Sequence, residues 1–115
     1  MRLRNVITER VTKGSATGTI DYLESTTTRH HEILEVTHVS VQNTSNAYTR
    51  LVIGVADGPI FLEKEEQDAP AANNLYWTRS RFLIPPGKKL RAHLTGCTAG
   101  DYITMTYEGF IWEAH

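Results

Sequence analysis

Residues 82–112 read FLIPPGKKLRAHLTGCTAGDYITMTYEGFIW, and the fold is decided here. Leu90, Ala92 and Leu94 alternate with polar residues, the period of a strand with one buried face. Upstream, Phe82, Leu83 and Ile84 end an apolar strand; downstream, small residues from Gly96 to Gly100 lead into a second alternating strand, Asp101 to Glu113. Pro85 and Pro86 cannot donate to a sheet ladder, and Gly87 takes the positive φ that a tight reversal needs. The expected product is a sharp corner between two packed strands. This is scaffold chemistry, and it speaks about architecture rather than reaction.

Working back towards the N-terminus, Leu75 to Ile84 alternates, with Leu75, Trp77 and Leu83 on one parity and Tyr76, Phe82 and Ile84 on the other. Trp77 is expected in the core. Glu63 to Asn74, EKEEQDAPAANN, has no apolar stripe and reads as an exposed loop after a short strand, Pro59 to Glu63. Asp57-Gly58 is a hairpin signal, and Pro59 confines the strand beyond it to an edge or a bulge. Tyr48 to Ala56 is a strand with apolar residues on both parities. So is Glu32 to Asn43, which predicts a central strand or a bulge near Val36-Thr37. Asn43 to Asn46 supplies a turn, so the sequon-like Asn43-Thr44-Ser45 is read as turn chemistry. Thr17 to Glu24 is a short extended segment, and residues 1–13 form an edge strand or an arm reaching to a neighbour.

About eight strands at roughly ten-residue spacing, with no amphipathic helix, predict an all-β protein: an antiparallel β-sandwich, jelly-roll-like rather than immunoglobulin-like. A chain of 115 residues fits one domain. Its net charge of −1 gives no basic coat for direct nucleic-acid contact. No apolar run reaches signal-peptide or membrane-spanning length, so no membrane is expected. The lone Cys97 forms no intrachain disulfide, which suits synthesis in a reducing cytoplasm.

Candidate chemistry is sparse. His30, His31, Glu32, Glu35 and His38 cluster, but adjacent histidines diverge on a strand, where shared ligation needs i, i+2 spacing. The metal-binding cupin pattern opens with His-x-His; here it is His-His, without the second histidine motif. Glu63, Glu65 and Glu66 read as solvated charge rather than as an acid–base pair held across a cleft. Ser40 and Ser80 lack a nucleophile elbow, and Cys97 near His93 lacks an orienting third group. The expectation is no enzyme, no cofactor and no metal. Exposed aromatics for sugar stacking would come from Tyr76, Trp77, Phe110 or Trp112.

Charge is segregated along the chain. Arg2, Arg4, Arg10 and Lys13 stand near the N-terminus; Glu63, Glu65, Glu66 and Asp68 form an acidic run; Arg79, Arg81, Lys88, Lys89 and Arg91 form a second basic run around the Pro-Pro-Gly corner. With Tyr76, these are the candidate partner-interface residues, because segregated charge on a near-neutral chain suits complementary contact. The corner is expected to gather its five basic residues into a docking edge.

Two segments resemble the small β-sandwich virion proteins of tailed bacteriophages. Leu83 to Gly109, LIPPGKKLRAHLTGCTAGDYITMTYEG, is similar to their Pro-x-Gly turn, alternating strand, Gly-x-x-x-Gly-Asp and final strand. Ile33 to Val55, ILEVTHVSVQNTSNAYTRLVIGV, is similar to their strand, Asn-rich turn and strand. The resemblance implies a structural protein without enzymatic activity, made in the bacterial host cytoplasm and residing in the virion. It implies a head-decoration or cement protein that binds the major capsid protein or another virion protein and stabilises the shell as a homo-oligomer, a trimer being favoured. A tail, baseplate or adaptor component is the alternative within that class, and a non-catalytic carbohydrate-binding β-sandwich is the alternative outside it. The matching positions are turn and core residues, so no site residue is carried over.

Overall fold

The computed structural model describes residues 1–16 and 19–113. Nine strands run in the order β1 (Arg2–Gly14), β2 (Ile20–Glu24), β3 (Glu32–Asn43), β4 (Arg50–Asp57), β5 (Ile60–Asp68), β6 (Tyr76–Trp77), β7 (Phe82–Ile84), β8 (Lys89–Thr95) and β9 (Tyr102–Glu113). No helix occurs among the described residues. Every pairing is antiparallel. One sheet has the order β1–β9–β3–β6, with β7 also on β3; the other is β2–β8–β4–β5. β6 and β7 are two pieces of one interrupted edge strand, so eight strand positions wrap into two sheets as an antiparallel β-sandwich with jelly-roll connectivity.

Alternation explains the core. Val36, Val39 and Val41 of β3, Leu51, Ile53 and Val55 of β4, Leu90, Ala92 and Leu94 of β8, and Ile103, Met105 and Tyr107 of β9 point inward into one buried cluster. Each buried Val, Leu or Ile side chain contributes about 1.5–3 kcal/mol. The parity switch in β3 is a bulge: its register on β9 shifts between Val36 and His38, where Gly109 lies opposite. A Cβ on Gly109 would run into the Glu35 backbone carbonyl, so the bulge and the glycine require each other.

The Pro-Pro-Gly corner carries the chain from β7 in one sheet to β8 in the other, with Gly87 at φ 79°. Thr28 ties it down: the Gly87 N–H donates to the Thr28 carbonyl at 3.0 Å, and the Thr28 hydroxyl donates to the Lys88 carbonyl at 2.9 Å. At the opposite end, fully buried Asn43 accepts the Ser45 and Asn46 N–H groups and donates to Asp101 at 2.8 Å. The Asn43 turn is therefore a buried polar knot.

Three expectations change. Glu63 to Asp68 is not loop but the second half of β5, because an edge strand needs only one hydrogen-bonded neighbour and no apolar face of its own. The strand expected from Leu75 to Ile84 is broken at Thr78–Arg81, where Glu65 captures the backbone N–H groups of Arg79 and Ser80. Its parity groups hold but their faces are reversed: Phe82 and Ile84 are buried, whereas Leu75, Trp77 and Leu83 are exposed. Of the two readings of the N-terminal segment, the edge strand holds and the arm does not: β1 lies at the edge of its sheet and pairs with β9. Part of the segment expected from Thr17 lies outside the described residues.

Candidate functional site

The two sheets present outer faces of opposite character. On the four-stranded sheet, Tyr22, His93 and Phe61 form a continuous ring cluster: Phe61 stacks on His93 with centroids 3.8 Å apart, and Tyr22 meets His93 at 4.6 Å. Phe61 reaches His93 across β4 because Gly54 places no side chain between them. The cluster covers Val52 and Ala56, which are 5% and 2% exposed although they face outward. Burial, helped by the Arg91 charge, lowers the His93 pKa to about 4, so the ring is neutral at pH 7, and its buried Nε2 has no hydrogen-bond partner. Around it, Glu24 pairs with Arg91 at 2.7 Å and Lys89 at 3.0 Å, and Arg50 pairs with Glu66. Burial opposes ionisation of Glu24, but its two cationic partners outweigh it and lower the pKa. The rings and ion pairs of this face thus pack on one another, with Tyr22 and Ile20 at its edge strand still 43% and 48% exposed.

The five-stranded sheet leaves its outer face open. Register sets Leu3, Trp112 and Ile33 in one row across β1, β9 and β3, and Val6, Phe110, Glu35 and Leu83 in the next, extending onto β7. Val6 is 63% exposed and Leu83 56%. Farther along β3, Trp77 stands opposite Ser40, 58% exposed and 6.5 Å between centroids from His38. Both tryptophans of the chain thus lie on this face. Glu35 is the polar anchor: it accepts the Trp112 indole N–H at 2.9 Å and lies 3.5 Å from Arg81. Gly109 and the adjoining bulge leave a shallow depression of about 200 Å³ beside Phe110. In these rows Leu3, Val6 and Leu83 are exposed, Ile33, Phe110 and Trp112 are half-buried, and Glu35 stands between Phe110 and Leu83.

The two long seams of the sandwich also differ. Between β5 and β6, Glu65 closes the edge by accepting the Tyr76 hydroxyl at 3.0 Å and the Arg79 and Ser80 N–H groups. Between β1 and the Thr26–Arg29 connector, a cleft of about 480 Å³ stays open, lined by Asn5, Ile7, Glu9 and Tyr107 among others.

The charged candidates are dispersed. Lys88 pairs with Asp57 at 2.7 Å, Lys89 and Arg91 with Glu24, and Arg81 with Glu35 on the other sheet. The corner therefore gathers no five-charge docking edge, because each of these cations meets an acid brought in by another strand. Arg2 pairs with Glu113 at 2.7 Å, and Arg4 with Glu32. Glu63 lies 3.7 Å from Arg50, and Asp68 stands opposite Arg50 in register. Arg79 contributes its backbone to Glu65, and Tyr76 its hydroxyl; Arg10 and Lys13 make no ion pair among the described residues. No His/Cys/Asp/Glu group with metal-holding geometry occurs among the described residues; His30 and His31 are exposed in the turn before β3. Cys97 is buried, which raises its pKa to about 11 and keeps it a thiol, and it sits in the core while His93 lies on the outer face.

Leu3, Val6, Ile33 and Leu83 escape sequence reasoning as site residues. They come from three strands, β1, β3 and β7, and only register unites them; the aromatic pair Phe110 and Trp112 on β9 is the one local signal.

No family model and no curated protein matches the chain. Among solved structures it is similar to one described as "CBM4 structure and function", at 7% identity and a TM-score of 0.37 over 91% of this chain and 82% of that one. A likeness at that level adds nothing to the reading of the face.

Proposed function

We propose that the chain is a non-catalytic structural protein of a tailed-phage particle, which docks on the major capsid protein or another virion protein with the outer face of its five-stranded sheet. The observation that carries this reading is the apolar content of that face: Leu3, Val6 and Leu83 are exposed, with half-buried Ile33, Phe110 and Trp112 among them. A flat apolar surface without an enclosed pocket suits another protein surface better than a small substrate. Trp112 and Phe110 are the anchors expected to dominate, with Glu35 a polar contact between them and Leu83, and Arg81 on the rim. Each copy adds a modest buried area, and repetition over a shell supplies avidity. The resemblance at Leu83 to Gly109 points the same way.

The exposed Trp77 beside His38 favours a second reading, a glycan-binding module. Against it, Phe110 and Trp112 are tilted by 58°, so they offer no coplanar platform for successive sugar rings.

The test is incorporation. The wild-type chain should co-purify with particles from lysates of the bacterium carrying the gene, and the double variant Val6→Asp/Leu83→Asp, folded by circular dichroism, should stay in the soluble fraction. A wild-type chain never found in particles, or a variant that incorporates equally well, contradicts the proposal. Glycan-array binding lost on Trp77→Ala would establish the second reading instead.

A further inference from the structure

We infer that β1 is a self-pairing edge: two copies of the chain join antiparallel, β1 to β1, about a two-fold axis at Val11, making one continuous sheet from the two five-stranded sheets. This does not depend on the virion reading.

β1 is 13 residues long and closes one end of its sheet, so its outward backbone N–H and C=O groups lack a strand partner along that length. Edge strands are normally blunted by bulges, prolines, inward charge or shortness. The other sheet's edge is blunted: β5 shifts register in its middle, carries Glu63, Lys64, Glu65, Glu66 and Asp68, and is held at Glu65 by the neighbouring segment. From Asn5 to Gly14, β1 has neither a bulge nor a proline, its one irregularity lying between Leu3 and Asn5, and the inward charges it does carry, Glu9 and Lys13, are of opposite sign. Its inward residues are also undercovered. Ile7 and Val11 pack on the core yet remain half-buried, because β2 spans only Ile20–Glu24, and the open cleft runs beside them. A strand is missing from this seam, not from the other.

Charge selects the occupant and its register. Antiparallel neighbours directly opposite each other share a face, so only even sums of residue numbers keep inward residues inward. Glu9, Val11 and Lys13 point inward; Thr8, Arg10 and Thr12 point outward. A two-fold at Glu9 sets two glutamates opposite each other, and one at Arg10 sets two arginines. One at Thr8 brings no opposite charges together. The axis at Val11 sets Glu9 against the partner's Lys13 twice, Val11 against the partner's Val11, and Arg10 against the partner's Thr12. Lys13 makes no ion pair within the described residues of its own chain, and Glu9 makes none either. The strand is thus complementary to itself in one register.

Sedimentation equilibrium of the full chain over a concentration series is the test. Wild type should show a dimer of twice the chain mass. Lys13→Glu, which opposes like charges twice, should weaken dimerisation about tenfold or more, and Glu9→Lys/Lys13→Glu should restore it. Val11→Cys should form an oxidised dimer, because opposite Cβ atoms there approach disulfide range, whereas Arg10→Cys should not. A wild type that stays monomeric at millimolar concentration overturns the inference. So does a trimer, or a dimer unaffected by Lys13→Glu and not cross-linked through Cys at position 11.

Discussion

The two outer faces of the sandwich follow the same period-2 alternation and end in opposite states. On the four-stranded sheet, Phe61, His93 and Tyr22 lean together and seal Val52 and Ala56, with Glu24, Arg91 and Lys89 along one side. On the five-stranded sheet, Val6, Leu83 and Trp77 have no such lid and remain more than half exposed. The difference turns on small things: a glycine at 54 that lets a ring cross β4, and a Glu24 that draws both Arg91 and Lys89 alongside the rings, whereas Glu35 on the open face reaches only Arg81, at 3.5 Å. Apolar residues on an outward parity therefore mean packing under a ring cluster in one case and exposure in the other.

Gly54 is the sharpest place to break this contrast. Its Cβ would collide with the backbone carbonyl of Leu62, so Gly54→Ala should cost about 2–3 kcal/mol or abolish folding. Urea denaturation measures this, and a loss under 1 kcal/mol would mean that the close approach of β4 and β5 does not shape the sealed face. Phe61→Ala should be next, at about 1–2 kcal/mol, below the usual core value because the ring is only half-buried. The same variant should raise the His93 pKa from about 4 towards 6.5, read by NMR titration. Leu83→Ala, its counterpart on the open face, should stay within about 0.5 kcal/mol of wild type.

The sealed face also gives a pH dependence. His93 titrates near 4 in the folded protein and near 6.5 when unfolded. As pH falls below 6.5 the unfolded chain takes up a proton that the folded chain refuses until about 4. The stability contributed by the neutral ring is thus fully present above 6.5 and is lost between 6.5 and about 4. Denaturation midpoints should drop over that window in wild type and drop less in His93→Phe. The smallest effect belongs to Glu35→Gln: the amide oxygen still accepts the Trp112 N–H, and the lost pairing with exposed Arg81 is worth under about 0.5 kcal/mol by thermal melting.

What the sequence revealed was local. The Gly87 corner, the bulge near Val36-Thr37 and the Asp57-Gly58 hairpin are all readable from a few residues, because turn chemistry and parity are properties of short segments. Glu63 to Asp68 misleads because its polarity resembles a loop, while an edge strand is held by backbone bonds to β4 that leave no mark on composition. Trp77 and Leu83 show correct parity but the wrong face, since which side of β6 and β7 turns inward is set by pairing with β3, some 40 residues away in the chain. The basic run around the corner looks like a patch until distant acids, Glu24, Glu35 and Asp57, arrive beside it. A site assembled from β1, β3, β7 and β9 has no linear signature.

The central claim is that the open face, and not the sealed one, meets the partner. Hydroxyl-radical footprinting of the free chain and of the chain in purified particles tests it directly, because Trp77, Trp112 and Leu83 mark one face and Tyr22 and Phe61 the other. Protection of Trp112 and Leu83 in the particle, with Tyr22 and Phe61 oxidised as in the free chain, is the predicted result. Protection confined to Tyr22 and Phe61 would contradict it.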